Sequence, residues 1–137
     1  MLAIQAVRAE EGSLLLLDEE AKELVFVDVV GLNREMLIGT RMPANQGIVG
    51  EAISSRRPLL VQDVRQEPQW YPQVDELLGF VTLSVICVPV MDRGQVLGAI
   101  ELVNKQNESV FDEDDQDVLL LVARLAGLAL SRADDAA

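Results

Sequence analysis

Glu101-Leu102-Val103-Asn104-Lys105, followed by Phe111-Asp112-Glu113-Asp114-Asp115, is the stretch on which the reading of this chain turns. An aliphatic, β-branched run over residues 96–103 stops at the Asn-Lys pair, and an acidic helix start follows after a polar connector. Lys105 and Asp115 carry opposite charges and can meet across that connector, pinning a strand end to a helix start. Such a joint points to a small sensory domain rather than to a catalyst.

Upstream of this stretch, residues 83–91 and 95–103 are the strongest strand candidates, and Asp92-Arg93-Gly94 between them predicts a hairpin. Downstream, residues 112–132 form the longest helical pattern, and its acidic first turn suits the positive end of the helix dipole. The tail 133–137 reads as frayed, which leaves 1–132 as a single domain. Towards the N-terminus, residues 2–11 read as part of a helix, with Ala3, Ala6 and Val7 at helical spacing. Two apolar runs, 13–18 and 24–30, flank an acidic turn with Lys22 and predict a first hairpin.

Residues 31–41 read as a connector. Ile48, Val49, Ala52 and Ile53 recur at helical spacing after the turn Asn45-Gln46-Gly47. Leu59-Leu60-Val61 is a short strand entered through Pro58. Residues 63–72 form a loop, and 74–78 a short helix ending near Gly79. Helices and strands that alternate irregularly around two hairpins predict an α+β sandwich built on an antiparallel sheet.

Composition bounds the chemistry. The 137 residues fit one core, and with 50% apolar and 25% charged residues the chain should be globular. No apolar run approaches the roughly 20 residues of a membrane span. The N-terminus lacks the basic and apolar regions of a secretory signal, so the expected compartment is the cytoplasm. A net charge of −12 repels phosphate backbones and argues against a nucleic-acid partner. There is no histidine and only one cysteine, Cys87, which reads as a small buried hydrophobe. These absences exclude an intrachain disulfide, His-dependent zinc or haem sites, and His-based catalytic triads.

Taken in order, four segments give the chain its likeness: 12–18, 42–50, 79–90, and Asn104-Lys105 with Phe111 and Asp115. Along nearly its whole length the chain resembles the GAF family of sensory domains. The resemblance implies a GAF-like (profilin-like) sandwich, a six-stranded antiparallel sheet with terminal helices on one face and a ligand pocket under short helices and loops on the other. Members sit in phosphodiesterases, cyclases, histidine kinases and transcription activators, and usually dimerise.

The last of the four segments is similar to the Asn-Lys/Phe/Asp-Glu motif of cyclic-nucleotide-binding members. By that likeness Ser13, Ile48, Val49, Asp75, Thr82 and Glu101 fall where those members line the pocket. Backbone N–H groups of Ile48 and Val49 at a helix start could hold a phosphate, and Asp75 and Thr82 could bond a base edge. Asp75 reads equally as a solvated residue of a short acidic helix. Glu101 interrupts the apolar run Ala99-Ile100 and Leu102-Val103; a ligand, a cation or a neighbouring polar group must satisfy it if it faces inward. An exposed sheet position is the alternative.

The chain departs from the motif at Asp115-Gln116, and Val29 and Val30 replace an aromatic and an acidic residue, which removes stacking area for a purine. Asn104, Lys105, Phe111 and Asp115 read as structural: Lys105 and Asp115 as a brace, Phe111 as an anchor to the core. Trp70 and Tyr71 read as a lid or loop plug. Without His or a second Cys, the tetrapyrrole, haem and methionine-sulfoxide-reducing chemistries of the family fall away, and neither enzyme activity nor a cofactor is expected.

The C-terminal helix carries two apolar stripes, one of Val118, Leu121, Val122, Leu125 and Leu128, the other of Leu119, Leu120, Ala123, Ala126 and Leu130. One covers the sheet; the other either packs on the N-terminal helix or forms a homodimer interface, the preferred reading. The expectation is a regulatory small-molecule sensor that signals through its terminal helices, with a cyclic nucleotide the first ligand to test and residues 63–79 ordering on binding. The alternative is a ligandless dimerisation module of the same fold.

Overall fold

A computed structural model describes residues 2–31, 34–63, 83–106 and 110–136. In chain order these form α1 (Leu2–Val7), β1 (Ala9–Asp18), β2 (Glu23–Val30), α2 (Arg34–Leu37), β3 (Arg41–Pro43), α3 (Gly47–Ser55), β4 (Leu59–Val61), β5 (Val85–Asp92), β6 (Gln95–Lys105) and α4 (Glu113–Ala136). The six strands make one antiparallel sheet in the order β3-β2-β1-β6-β5-β4. This is the expected α+β architecture.

Both expected hairpins form. Asp18 closes the first by accepting the Ala21 N–H at 3.1 Å, and Lys22 takes the left-handed backbone conformation the turn needs, with φ 56°. The β1–β2 register shifts between Leu14, opposite Asp28, and Leu15, opposite Phe26. Val27 is thereby the extra residue of a bulge and stands exposed. In the second hairpin, Asp92 pairs with Gln95 across Arg93-Gly94.

Three boundaries differ from the sequence reading. The N-terminal helix ends at Val7 and not at residue 11; Arg8 turns the chain with φ 60°, and Ala9 already pairs with Lys105 of β6. Pairing along β6, with Ala9 buried, outweighs the helical propensity of the Ala-Glu-Glu run. The 31–41 connector contains α2 and the start of β3, a strand whose signal is its ladder with β2 rather than its own pattern. The last helix runs on to Ala136, past the expected end at 132. The expected loop 63–72, with Trp70 and Tyr71, and the expected helix 74–78 lie outside the described residues, except Asp63 at the edge of the loop.

The sheet has a core on each face. On one, α3 lays Ile48, Val49 and Ala52 over Leu15, Phe26, Val85 and Cys87. On the other, α1 and α4 bury Ile4, Val7, Phe111, Leu119 and Ala123 against Ile86, Val88, Ile100 and Leu102. Alternation along β5 and β6 assigns each residue its face, and both cores are dry enough that Leu15, Ile86, Leu102 and Phe111 have no exposed surface. Two glycines permit close approach: a Cβ at Gly98 would strike the Leu15 carbonyl of β1, and one at Gly127 would strike the Met91 carbonyl under α4.

Candidate functional site

The α3-covered face is organised by strand register. Ser13 of β1 pairs with Glu101 of β6, and Glu101 pairs on its other side with Cys87 of β5. The row extends to Val29 of β2, opposite Ser13, and to Leu59 of β4, opposite Cys87. Directly opposed residues in an antiparallel ladder share a face, so the row crosses five strands on the face against which α3 packs. Ser13, Cys87 and Val29 are buried and Glu101 is half-buried. A carboxylate therefore sits amid a hydroxyl, a thiol and aliphatic walls. Burial, and then the Glu101 charge, push the Cys87 thiol well above its ordinary pKa, so it stays protonated and unreactive.

Ile48 and Val49 occupy the first turn of α3, above this face. Their side chains are almost completely buried, so what they can offer a ligand is backbone. The N-cap residue Gln46 is extended and gives that turn no side-chain hydrogen bond. The Gly50 N–H is taken by the Gln46 carbonyl at 3.1 Å. Arg56 ends the helix in the left-handed conformation and donates to the Gly94 carbonyl at 2.8 Å, which ties α3 to the β5–β6 turn. Asp75 and Thr82 lie outside the described residues. Ser13, Glu101, Ile48 and Val49 are brought to one face.

The Asn104-Lys105 motif joins three segments. Asn104 adopts φ 57°, and its side-chain oxygen accepts the Leu83 and Ser84 N–H groups at 2.7 and 3.1 Å while its own N–H bonds the Ser84 carbonyl at 2.9 Å. Asn tolerates this left-handed conformation better than other residues with a side chain. Lys105 reaches the other way, to Asp115 in the first turn of α4, with side chains only 18% and 11% exposed. Phe111, fully buried between the sheet and the terminal helices, anchors the connector between them.

The sequence alone does not single out Asp112, which the structure pairs with Asp115. Asp115 N–H donates to the Asp112 carboxylate at 2.9 Å, and Asp112 N–H returns a bond to the Asp115 carboxylate at 3.0 Å. This reciprocal pair is a capping box with Asp in the place of Glu, and the Asp-x-x-Asp spacing could have announced it. The bond from Asp115 N–H, together with the nearby Lys105 charge, lowers the Asp112 carboxyl below its usual value of 3.8. The sequence marks Cys87 only as a core residue; its place beside Glu101 follows from register, which local sequence does not show.

A second concavity lies on the other side of the sheet. An open groove of about 670 Å³ runs between the β5–β6 hairpin and α4, bordered by Met91, Arg93, Asp117, Leu121, Arg124 and Leu128. It touches none of the Ser13–Glu101 row. Among the described residues, no helix is long and apolar enough to cross a membrane.

Sheet order, twin cores and the strand-to-helix brace define a small sensory-type α+β domain. A GAF domain family model matches residues 2–131, and the chain belongs to that family, whose members are commonly regulatory parts of signalling proteins. The chain is similar to a probable 3',5'-cyclic phosphodiesterase of Caenorhabditis elegans, pde-5, at 29% identity over 140 aligned positions, covering 96% of this chain and 19% of that protein. Among solved structures it resembles the GAF domain of an Acinetobacter phosphoenolpyruvate-protein phosphotransferase, with TM-score 0.82, 22% identity, and coverage of 97% of this chain and 77% of that one. It also resembles the free methionine-R-sulfoxide reductase of Neisseria meningitidis, with TM-score 0.81, 23% identity, and coverage of 99% and 75%. The second GAF domain of DevS from Mycobacterium smegmatis gives 0.78 and 17%, with coverage of 98% and 88%. These structural likenesses establish the fold.

Proposed function

We propose that this domain is a non-catalytic, regulatory small-molecule sensor of a signalling protein, whose ligand lies on the Ser13–Glu101 face beneath α3. The observation that carries the proposal is the register that sets a half-buried carboxylate between Ser13 and Cys87 on the sheet face against which α3 packs. A ligand held there would meet Glu101 on the sheet and backbone N–H groups of Ile48 and Val49 above, with Asp75 and Thr82 completing the site. A cyclic nucleotide is the first candidate, supported by the likeness to a probable cyclic phosphodiesterase. Binding would shift the balance between two arrangements of α1 and α4 in a homodimer.

The exposed apolar residues of α4 favour a second reading, a ligandless dimerisation module: Leu121 and Leu125 are 63% and 58% exposed. Calorimetry and thermal-shift titration with cyclic nucleotides separate the two. The sensor reading expects a rise in melting temperature that Glu101→Gln abolishes. No shift at millimolar nucleotide removes the nucleotide version, and a shift that survives Glu101→Gln places the site elsewhere.

A further inference from the structure

Resting on the dimer reading above, we infer that two copies of α4 pair antiparallel about a two-fold axis at the level of Ala123, with Asp114 of each copy meeting the partner's Arg132. On α4 the exposed residues Val118, Leu121, Leu125 and Leu128 alternate by three and four positions, the spacing of a coiled-coil seam. Leu119 and Ala123 lie in the core shared with the sheet and α1, and with both of these in place the seam residues remain exposed. Continuing the same spacing outward reaches Asp114 before Val118 and Arg132 after Leu128, both exposed. The seam thus has an acid at one end, a base at the other, and four apolar positions between.

That polarity decides how two identical seams can meet. In a parallel pair each residue faces its own copy, so Asp114 meets Asp114 and Arg132 meets Arg132, like charges at both ends. In an antiparallel pair centred on Ala123, Val118 meets the partner's Leu128 and Leu121 meets the partner's Leu125, each contact repeated by symmetry. Asp114 then lies opposite the partner's Arg132 at both ends. Arg124 flanks the seam on the groove side near the axis and approaches its own copy, which makes the pair a reversible, concentration-dependent one.

Sedimentation of the wild type across concentration, with charge reversals, tests the arrangement. Asp114→Arg sets like charges opposite each other in the antiparallel pair and should weaken the dimer roughly tenfold; adding Arg132→Asp should restore it. The rescue separates pairing from any effect of Asp114→Arg on the first turn of α4, since both variants carry that change. Disulfide trapping gives a second readout. The two positions stand roughly 27 Å apart along one helix and cannot bridge within a chain. Asp114→Cys with Arg132→Cys should give a covalent dimer, and Asp114→Cys alone should not. A dimer indifferent to the single reversal, or trapped by Asp114→Cys alone, overturns the antiparallel pairing and leaves the dimer standing. A monomer at every concentration overturns the dimer reading and the pairing together.

Discussion

The Lys105 ammonium lies 2.7 and 2.6 Å from the two carboxylate oxygens of Asp115, joining the last residue of β6 to the first turn of α4. Both side chains are largely shielded from water, so the pair is stronger than a surface ion pair, and removing one partner strands the other. Lys105→Met should cost roughly 2–4 kcal/mol in urea unfolding. Lys105→Met with Asp115→Leu should recover part of that loss, because no charge is left buried. A single variant as stable as the wild type would show that the brace does not hold α4.

Acid should loosen the same corner. Asp112 has its carboxyl lowered from 3.8, first by the Asp115 N–H bond and then by the Lys105 charge. Asp18 is lowered likewise, by the Ala21 N–H and by Arg41, which lies 3.0 Å away. A depressed folded-state pKa gives stability that is present above the unfolded value and lost as pH falls through the folded one. Unfolding midpoints should therefore decline as pH drops below 3.8. Asp112→Asn caps the helix without titrating, so its decline should be shallower than that of the wild type; parallel curves would exclude the assignment.

Asn104 offers a separable pair of effects. Asn104→Gly keeps the left-handed backbone but withdraws the acceptor of the Leu83 and Ser84 N–H groups, at a cost of roughly 1–3 kcal/mol. Asn104→Ala adds a backbone penalty of about 1 kcal/mol. Hydrogen exchange should quicken at the Ser84 amide in both variants. Protection unchanged in the glycine variant would mean that the side chain is dispensable.

Gly127 should reverse the usual helix rule. Exchanging glycine for alanine within a helix normally stabilises by about 1 kcal/mol. Here the added methyl would collide with the Met91 carbonyl, so Gly127→Ala should instead destabilise by about 1–3 kcal/mol. A raised melting temperature would show that α4 is free to lift from the sheet.

Local chemistry made some of this legible. The turn Asp92-Arg93-Gly94 and the apolar runs around it marked the second hairpin, and the charges and spacing of Lys105 and Asp115 marked the joint that the structure contains. What depends on partners was hidden. Residues 9–11 look helical until β6 lies beside them, and β3 is a strand only because β2 borders it. The two stripes of α4 separate except at their shared edges: Leu120 is exposed while Leu119 and Ala123 of its stripe are buried, and Val122 is half-buried while the rest of its stripe is exposed. Helical spacing of three or four leaves border residues ambiguous until a neighbour fixes the face. The row from Val29 to Leu59 could not be read at all, because it exists only across five strands.

The chain enters β1 where it leaves β6: Ala9 pairs with Lys105, and the Gln106 N–H bonds the Arg8 carbonyl at 2.8 Å. Tension between the two segments at this corner would peel the central ladder rung by rung from Arg8 and Gln106 inward, rather than load all its bonds in shear. The middle of the sheet, the best buried part of the molecule, is thus also where a mechanical tug would find the least resistance.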